Sequence, residues 1–317
     1  MEGLSVIQRK DIRDAFKESN RTFESQGFYR VVNSIYETSL YGSRRMDAAY
    51  EEIGIKSSLS SVPRMDDKAK PHPVLSAPSP RVLTVRPVSY RGSYAYLWED
   101  LQDDKAGYYR EMAATLGHAL LFTRELVGHE PFNRARDATF LQGWDNNPLG
   151  FATIPLLDAG AGTYSNVYAA AAPSETTLDA VMNHFDRVPD NRGRPTKVQR
   201  IILIVHITRL RHWRQLLRAA ARDVAVEVPV GTGANANPQM PNRFSADNIT
   251  VIGTPYFTAA DLNSFIALGA QNGLYWRTRF TKDGMDELTN PPRTLHWAWS
   301  KFALGVADKR QIAVWGF

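Results

Sequence analysis

A mixed α+β fold is the class this sequence predicts, and three observations predict it. Strand-like and helix-like stretches both occur, but they do not alternate at the regular spacing of a doubly wound parallel sheet. The longest run of aliphatic residues larger than alanine, Ile201 to Val205, is only strand-sized. No internal repeat divides the chain. With 317 residues, 43% of them hydrophobic and 22% charged, the chain can bury a sizeable core in one to three domains. It has no cysteine, so disulfides, thiolate metal sites and a cysteine nucleophile are excluded. The first residues lack a basic start followed by an apolar run, so no signal peptide is expected. No apolar stretch approaches about 18 residues, so no membrane span is expected. The net charge of +5 is small against 38 basic and 33 acidic residues, and mixed solvated surface charge accounts for it.

The elements follow in chain order. Ile7, Ile12, Phe16 and Phe23 give a weak helical stripe in an N-terminal arm, and the period is lost from Phe28 to Tyr41. Ser43 is placed to cap a short helix through Ile53, with Met46, Tyr50 and Ile53 on one side. Ser57 to Pro80 carries Pro63, Pro71, Pro73, Pro78 and Pro80, which remove donors and fix the backbone. An exposed loop is expected there. Val82 to Tyr96, broken by Pro87 and Gly92, predicts a two-stranded excursion at a sheet edge. The next segment organises the chain. Asp100, Asp103 and Asp104 supply an acidic helix start, and Tyr109, Met112, Leu116, Leu120 and Val127 recur at helical spacing. Gly128 supplies a left-handed stop, and Pro131 is expected to prevent continuation.

Turn-rich passages follow at Arg134 to Phe151 and Ala159 to Asn166. Ser174 is expected to cap a helix through Phe185, faced by Leu178, Val181, Met182 and Phe185. Asp190 to Pro195 reads as a turn, Val198 to Val205 as a buried strand, and Thr208 to Ala221 as a helix packed by Leu210, Trp213, Leu217 and Ala220. Val224 to Val230 is strand-like, Gly231 to Pro241 a long loop, and Ile249 to Ile252 a short strand. Thr258 is placed to cap a helix holding Leu262, Phe265 and Ile266. Thr294 to Phe317 is aromatic and β-prone.

No chemistry-bearing constellation emerges. Gly231-Thr-Gly-Ala-Asn lacks the glycine spacing and the Gly-Lys-Ser/Thr ending of a phosphate loop. His129-Glu130 lacks the second histidine of a zinc protease, and a surface role at a helix end is expected. His206 and His212 flank a strand-to-helix turn and read as structural or surface side chains. Asp103 and Asp104 are adjacent on a helix, so capping is the better reading than a carboxylate pair. There is no Gly-x-Ser-x-Gly elbow. Arg209, Arg211, Arg214, Arg218 and Arg222 decorate one helix, with Arg211, Arg214 and Arg218 on one face. Such a helix suits phosphate backbone. It equally suits a solvated face or an interface with carboxylates of a neighbouring chain, which is the favoured reading. No catalytic, cofactor-binding or metal residues are assigned, and no enzyme activity is expected.

Several short motifs carry a resemblance in their order and spacing from about Leu83 to Phe317. Asp103-Asp104-Lys-Ala-Gly107-Tyr-Tyr109 opens the long helix. Asp145-x-x-Pro148-Leu149 is followed by Ser165-Asn166. Gly193-Arg-Pro195 precedes a strand, Asn237-Pro238 sits in the long loop, and Val251 to Tyr256 lies ahead of the expected helix. Ser300-Lys-Phe302-Ala-Leu-Gly305-Val-Ala-Asp308-Lys-Arg310 and Ala313-Val-Trp315-Gly316 close the chain. The combination resembles the major capsid protein of tailed bacteriophages, the Hong Kong phage-type fold, in its Mu-like branch.

That resemblance implies an N-terminal arm (1–62), an extended β-hairpin loop (63–99), and a spine helix with the first part of a peripheral domain (100–140). An axial domain with interleaved peripheral strands (141–291) and closing peripheral strands (292–317) complete it. The implied function is structural: self-assembly into pentamers and hexamers of an icosahedral shell in the virion. Packaged double-stranded DNA, contacted non-specifically, and scaffolding, portal and decoration proteins are implied partners, with no membrane. Some relatives crosslink the extended loop, and Lys68 and Lys70 lie in the matching region without a motif that proves a bond. The alternatives from other classes are a soluble nucleic-acid-binding protein using the Arg209–Arg222 helix and a hydrolase with an unmarked site.

Overall fold

The computed structural model describes residues 39–55, 81–97, 108–156, 162–198, 200–222, 248–258, 261–270, 272–289 and 292–317. The expectations for the arm up to residue 38, for Ser57 to Pro80 with Lys68 and Lys70, for the acidic helix start at Asp103 and Asp104, and for Val224 to Pro241 lie outside these residues.

In chain order the elements are β1 (Gly42–Arg45), β2 (Glu51–Ile55), β3 (Arg81–Val85), β4 (Val88–Leu97), α1 (Tyr108–Asn133), β5 (Ile154–Pro155), β6 (Thr163–Tyr164) and β7 (Val167–Tyr168). Then come α2 (Glu175–Asp186), β8 (Val188–Pro189), β9 (Pro195–Thr196), β10 (Ile201–His206), α3 (Leu210–Arg222), β11 (Ile249–Thr254), β12 (Phe265–Gly269), β13 (Leu274–Thr289), β14 (Pro292–Val306) and β15 (Ile312–Trp315). The mixed α+β class holds. The chain divides into two compact units, one drawn from Met1–Glu51, Val85–Gly128 and Trp276–Leu304, the other from Glu52–Thr84, His129–Tyr275 and Gly305–Phe317.

The first unit is built on a four-stranded sheet in the order β1-β13-β14-β4. Tyr90 stacks on Phe302 and Phe302 on Trp276, with centroids 4.6 and 4.8 Å apart. Helix α1 lies against this aromatic face, as its apolar stripe leads one to expect. Leu120 packs on Ala298 beside Leu116, and a Cβ on Gly92 would sit 3.5 Å from Leu116. Arg124 is buried over the Trp276 and Phe302 rings and donates to Thr281 Oγ1 at 3.2 Å.

Two expectations fail in this part of the chain, and a third holds in part. Helix α1 does not stop at Gly128. It runs 26 residues to Asn133 with Pro131 inside it, about 39 Å at 1.5 Å per residue. Gly128 is not among the positive-φ glycines. Proline removes one ladder bond and its ring crowds the carbonyl four residues back, yet the helix continues through a turn in which His129 and Phe132 are buried. Ser43 to Ile53 is not a helix: Gly42–Arg45 joins the sheet beside β13, with Met46 N–H bonded to Thr278 O at 2.9 Å. Long-range pairing overrides a weak period there. The excursion from Val82 to Tyr96 does contain two strands, but they do not pair with each other. β4 runs antiparallel to β14 from Leu97↔Arg293 to Val88↔Phe302, while β3 pairs with β2.

The second unit is a five-stranded sheet in the order β11-β10-β12-β15-β7. One row across it reads Gly253, Val205, Phe265, Trp315 and Tyr168. Phe265 stacks on Trp315 at 4.7 Å and Trp315 on Tyr168 at 4.6 Å. Helices α2 and α3 both cover this face, through Leu178, Val181, Phe185, Trp213 and Leu217. Ser174 caps α2 as expected, its Oγ accepting from Thr177 N at 3.1 Å. Gly253 admits α3: a Cβ there would stand 2.7 Å from Leu210 Cδ2.

The opposite row, Ile204, Ile266 and Val314, is also fully buried. That explains a further departure from expectation. The stretch from Leu262 to Ile266 is not a helix capped by Thr258; Phe265–Gly269 is the central strand β12, buried along its whole length. A strand covered on both faces is a continuous apolar run, which periodicity does not separate from a short helix. The closing segment is also split, with β14 in the first unit's sheet and β15 between β12 and β7 in the second.

Candidate functional site

Three of the motif pieces scattered through the sequence, Asp145 to Leu149, Ser165-Asn166 and Asp308 to Arg310, meet in the second unit, around Lys309. Its ammonium donates 2.6 Å to Asp145 Oδ1, 2.9 Å to Asn147 O and 3.1 Å to Pro148 O. Lysine has three N–H donors, and all three are used. Both side chains of the ion pair are only 1% exposed. The turn that presents Asp145 is shaped for it. Asn146 sits at φ 56°, and Asn147 Nδ2 donates to Asp145 Oδ2 at 3.1 Å. Gly143 leaves the room, since a Cβ there would lie 2.9 Å from Asp145 Oδ1 and 3.0 Å from Lys309 Cε.

Asn166 closes the other side. It is fully buried. Its Nδ2 donates to Leu149 O at 2.9 Å and Lys309 O at 3.3 Å, and its Oδ1 accepts from Phe151 N at 2.7 Å. Its backbone oxygen accepts from Val314 N at 2.8 Å. Asp308 holds Arg310 at 2.5 Å, and Arg310 reaches Pro189 O at 3.2 Å. The Asp-x-x-Pro-Leu turn, the Ser-Asn turn and the Asp-Lys-Arg closing segment are therefore one buried clasp.

The electrostatics of the clasp are those of a lock. Burial pushes the Lys309 ammonium below its usual range, against the opposing pull of Asp145. Desolvation thus exceeds what the carboxylate returns, as is common for buried pairs. The cavity beside it, lined by Trp144, Ile154, Asn191, Asp308 and Arg310 among others, is of about water size.

A second polar cluster sits under α2. Both ring nitrogens of His184 meet tyrosine hydroxyls, Nε2 with Tyr164 Oη and Nδ1 with Tyr168 Oη, each at 2.6 Å. Burial lowers the His184 pKa to about 4 and raises those of both tyrosines. Neutral His184 pairs with one hydroxyl as donor and the other as acceptor.

The remaining candidates stay apart. His129 is not at the surface. It is fully buried against Phe132 and Phe257, and burial lowers its pKa to about 4. Glu130 does face outward and pairs with Arg134 at 3.1 Å. His206 accepts from Thr208 N at 3.2 Å, opening the turn before α3, and His212 is exposed. Arg211 and Arg214 are exposed on α3, while the side chains of Arg218 and Arg222 lie outside the described residues. Among the described residues no three or more acidic, histidine or cysteine side chains form a metal-binding group, and no helix is long and apolar enough to cross a membrane.

No protein-family model matches the sequence, and no curated protein matches it. Solved structures do. The capsid chain of the cyanophage P-SCSP1u is 11% identical, with a TM-score of 0.56 over 89% of this chain and 88% of that one. The mature capsid chain of bacteriophage PhiM1 is 12% identical, with a TM-score of 0.54 over 90% and 87%. The capsid chain of an empty GTA particle is 13% identical, with a TM-score of 0.53 over 90% and 91%. At these identities the likeness is one of fold. The chain has the fold of phage capsid proteins that its motifs resemble.

Proposed function

We propose that this chain is a capsid subunit, a structural protein that assembles with copies of itself into a closed shell. The observation that carries the reading is the likeness to capsid chains along about nine-tenths of both partners. In this reading the first unit is the peripheral domain and α1 is its spine. The second unit is the axial domain, which packs around the axis of pentamers and hexamers. The segment between β2 and β3 is the extended loop reaching a neighbouring subunit. Packaged double-stranded DNA lies on the inner face, and scaffolding, portal and decoration proteins are the further partners. No catalytic step is assigned. The buried Asp145–Lys309 clasp fits this role: it ties the turn after α1 to the closing segment of the chain within the second unit. Many moderate contacts in a closed lattice then stabilise collectively.

The alternative, nucleic-acid binding through the α3 arginines, has no support in the likeness of fold. Light scattering of the purified chain, paired with DNA titration over a salt series, tests the two together. Assembly into species of capsomer mass or larger is expected. A strict monomer with tight, steeply salt-dependent DNA affinity would replace the capsid reading with the alternative.

A further inference from the structure

The two helices on one face of the second unit's sheet carry opposite charge. Helix α2, Glu175–Asp186, holds Glu175 and Asp179, with Asp186 at its end paired to Lys197 at 3.8 Å, and has no arginine or lysine within it. Helix α3, Leu210–Arg222, holds four arginines and no acidic residue. They sit over opposite edges of the sheet. Leu210 of α3 fills the space above Gly253 on edge strand β11. His184 of α2 is bonded to Tyr168 on the other edge strand, β7. Glu175, Arg211 and Arg214 are exposed and Asp179 is half-buried. The apolar side of each helix is already spent on the sheet.

We infer that a second copy of this chain docks head to tail on the first, the arginine face of α3 in one subunit meeting the acidic face of α2 in the next. The inference rests on the capsid reading and deepens it. The occupant follows from charge complementarity: one subunit offers both halves of the contact, on opposite edges, and neither half suits itself. A twofold contact that sets each helix on its own copy would pair like charges, and one that sets α2 on α3 twice would close as a dimer, which native mass distinguishes from a larger ring. A heterologous contact joins unlike faces and leaves one of each open at the ends of the pair, so it propagates, and the closed shell of the capsid reading requires that it close into a ring. Arginine suits such an interface because its planar fork pairs with carboxylates in two bonds.

Paired charge reversals test this. One variant carries Arg211→Glu and Arg214→Glu, the other Glu175→Lys and Asp179→Lys, and circular dichroism checks that each is folded. Ring mass is read by native mass spectrometry. Each variant alone is expected to lose ring population by about tenfold or more, through like charges in contact. An equimolar mixture should recover rings, but only of even subunit number with the two variants alternating, because each variant fits only the other. A chain carrying all four reversals should assemble alone. If wild-type rings form and either folded variant assembles as well as wild type, the α2–α3 contact is overturned while the capsid reading stands. The contact is equally overturned if the mixture recovers nothing, or if the α3 variant keeps its rings and loses only DNA affinity. If the wild-type chain forms no rings or shells at all, both fall together.

Discussion

Replacing Lys309 by methionine probes the clasp most sharply. The substitution keeps the length of the aliphatic stem and removes the charge. Asp145 is then a carboxylate with its side chain 1% exposed and its cation gone, and the carbonyls of Asn147 and Pro148 each lose a donor. Breaking a buried ion pair from one side costs about 3–5 kcal/mol, against a total stability of about 5–15 kcal/mol for a domain. Adding Asp145→Asn removes the stranded charge while keeping an oxygen for Asn147. The double variant should therefore be more stable than Lys309→Met alone, by about 2 kcal/mol. Urea unfolding followed by tryptophan fluorescence measures both, with Trp144 one residue from Asp145 as a local reporter. A loss below about 1 kcal/mol for Lys309→Met would mean that Asp145 is not stranded by it. So would a double variant less stable than the single.

Other consequences can be measured separately. Asn166→Ala orphans Phe151 N–H and Leu149 O, and should cost about 2–4 kcal/mol in the same assay. Gly253→Ala drives a Cβ into Leu210 at 2.7 Å, and a loss of about 1–3 kcal/mol is expected together with weakened α3 packing. Acid should destabilise the fold through its buried histidines. His129, His184 and His296 are held near pKa 4 by burial, below the ordinary 6.5. Unfolding lets them take up protons, so stability falls as pH drops from about 6.5 to about 4 and this contribution flattens below that. For His129 and His184 the loss is up to about 3 kcal/mol each. The pH dependence of the unfolding midpoint should shrink in His184→Gln; an unchanged slope between those pH values would count against it.

Much of this fold is legible where the signal is local. Ser174 and the apolar positions Leu178, Val181 and Phe185 specify α2 within a dozen residues. Ile201 to Val205 reads as a buried strand and is one. What local pattern does not reach is long-range pairing. β12 is apolar on both faces, so its period carries no information. β13 holds Lys282, Asp283, Gly284 and Asp286, which give no local strand signal; its strand state comes from neighbours, with Gly284 packed under Trp297. Gly128 and Pro131 are punctuation that tertiary burial of Phe132 overrules. His129 sits where the local pattern ends a helix, and instead enters a core.

The clasp is legible only in pieces. Asp145, Asn166 and Lys309 stand out in separate short motifs, but no property of one predicts contact with another. Burial of Lys309 is the least readable feature, since lysine is almost never buried unless it is paired. The partner that makes it possible lies 164 positions away, as the numbers of Asp145 and Lys309 show.

Negative-stain electron microscopy of the purified full chain, over a range of concentration and salt, shows whether it assembles with copies of itself. Rings, shells or tubes built from repeating subunits are the expected result. Particles that stay monomeric under every condition, with the chain shown to be folded, would contradict it.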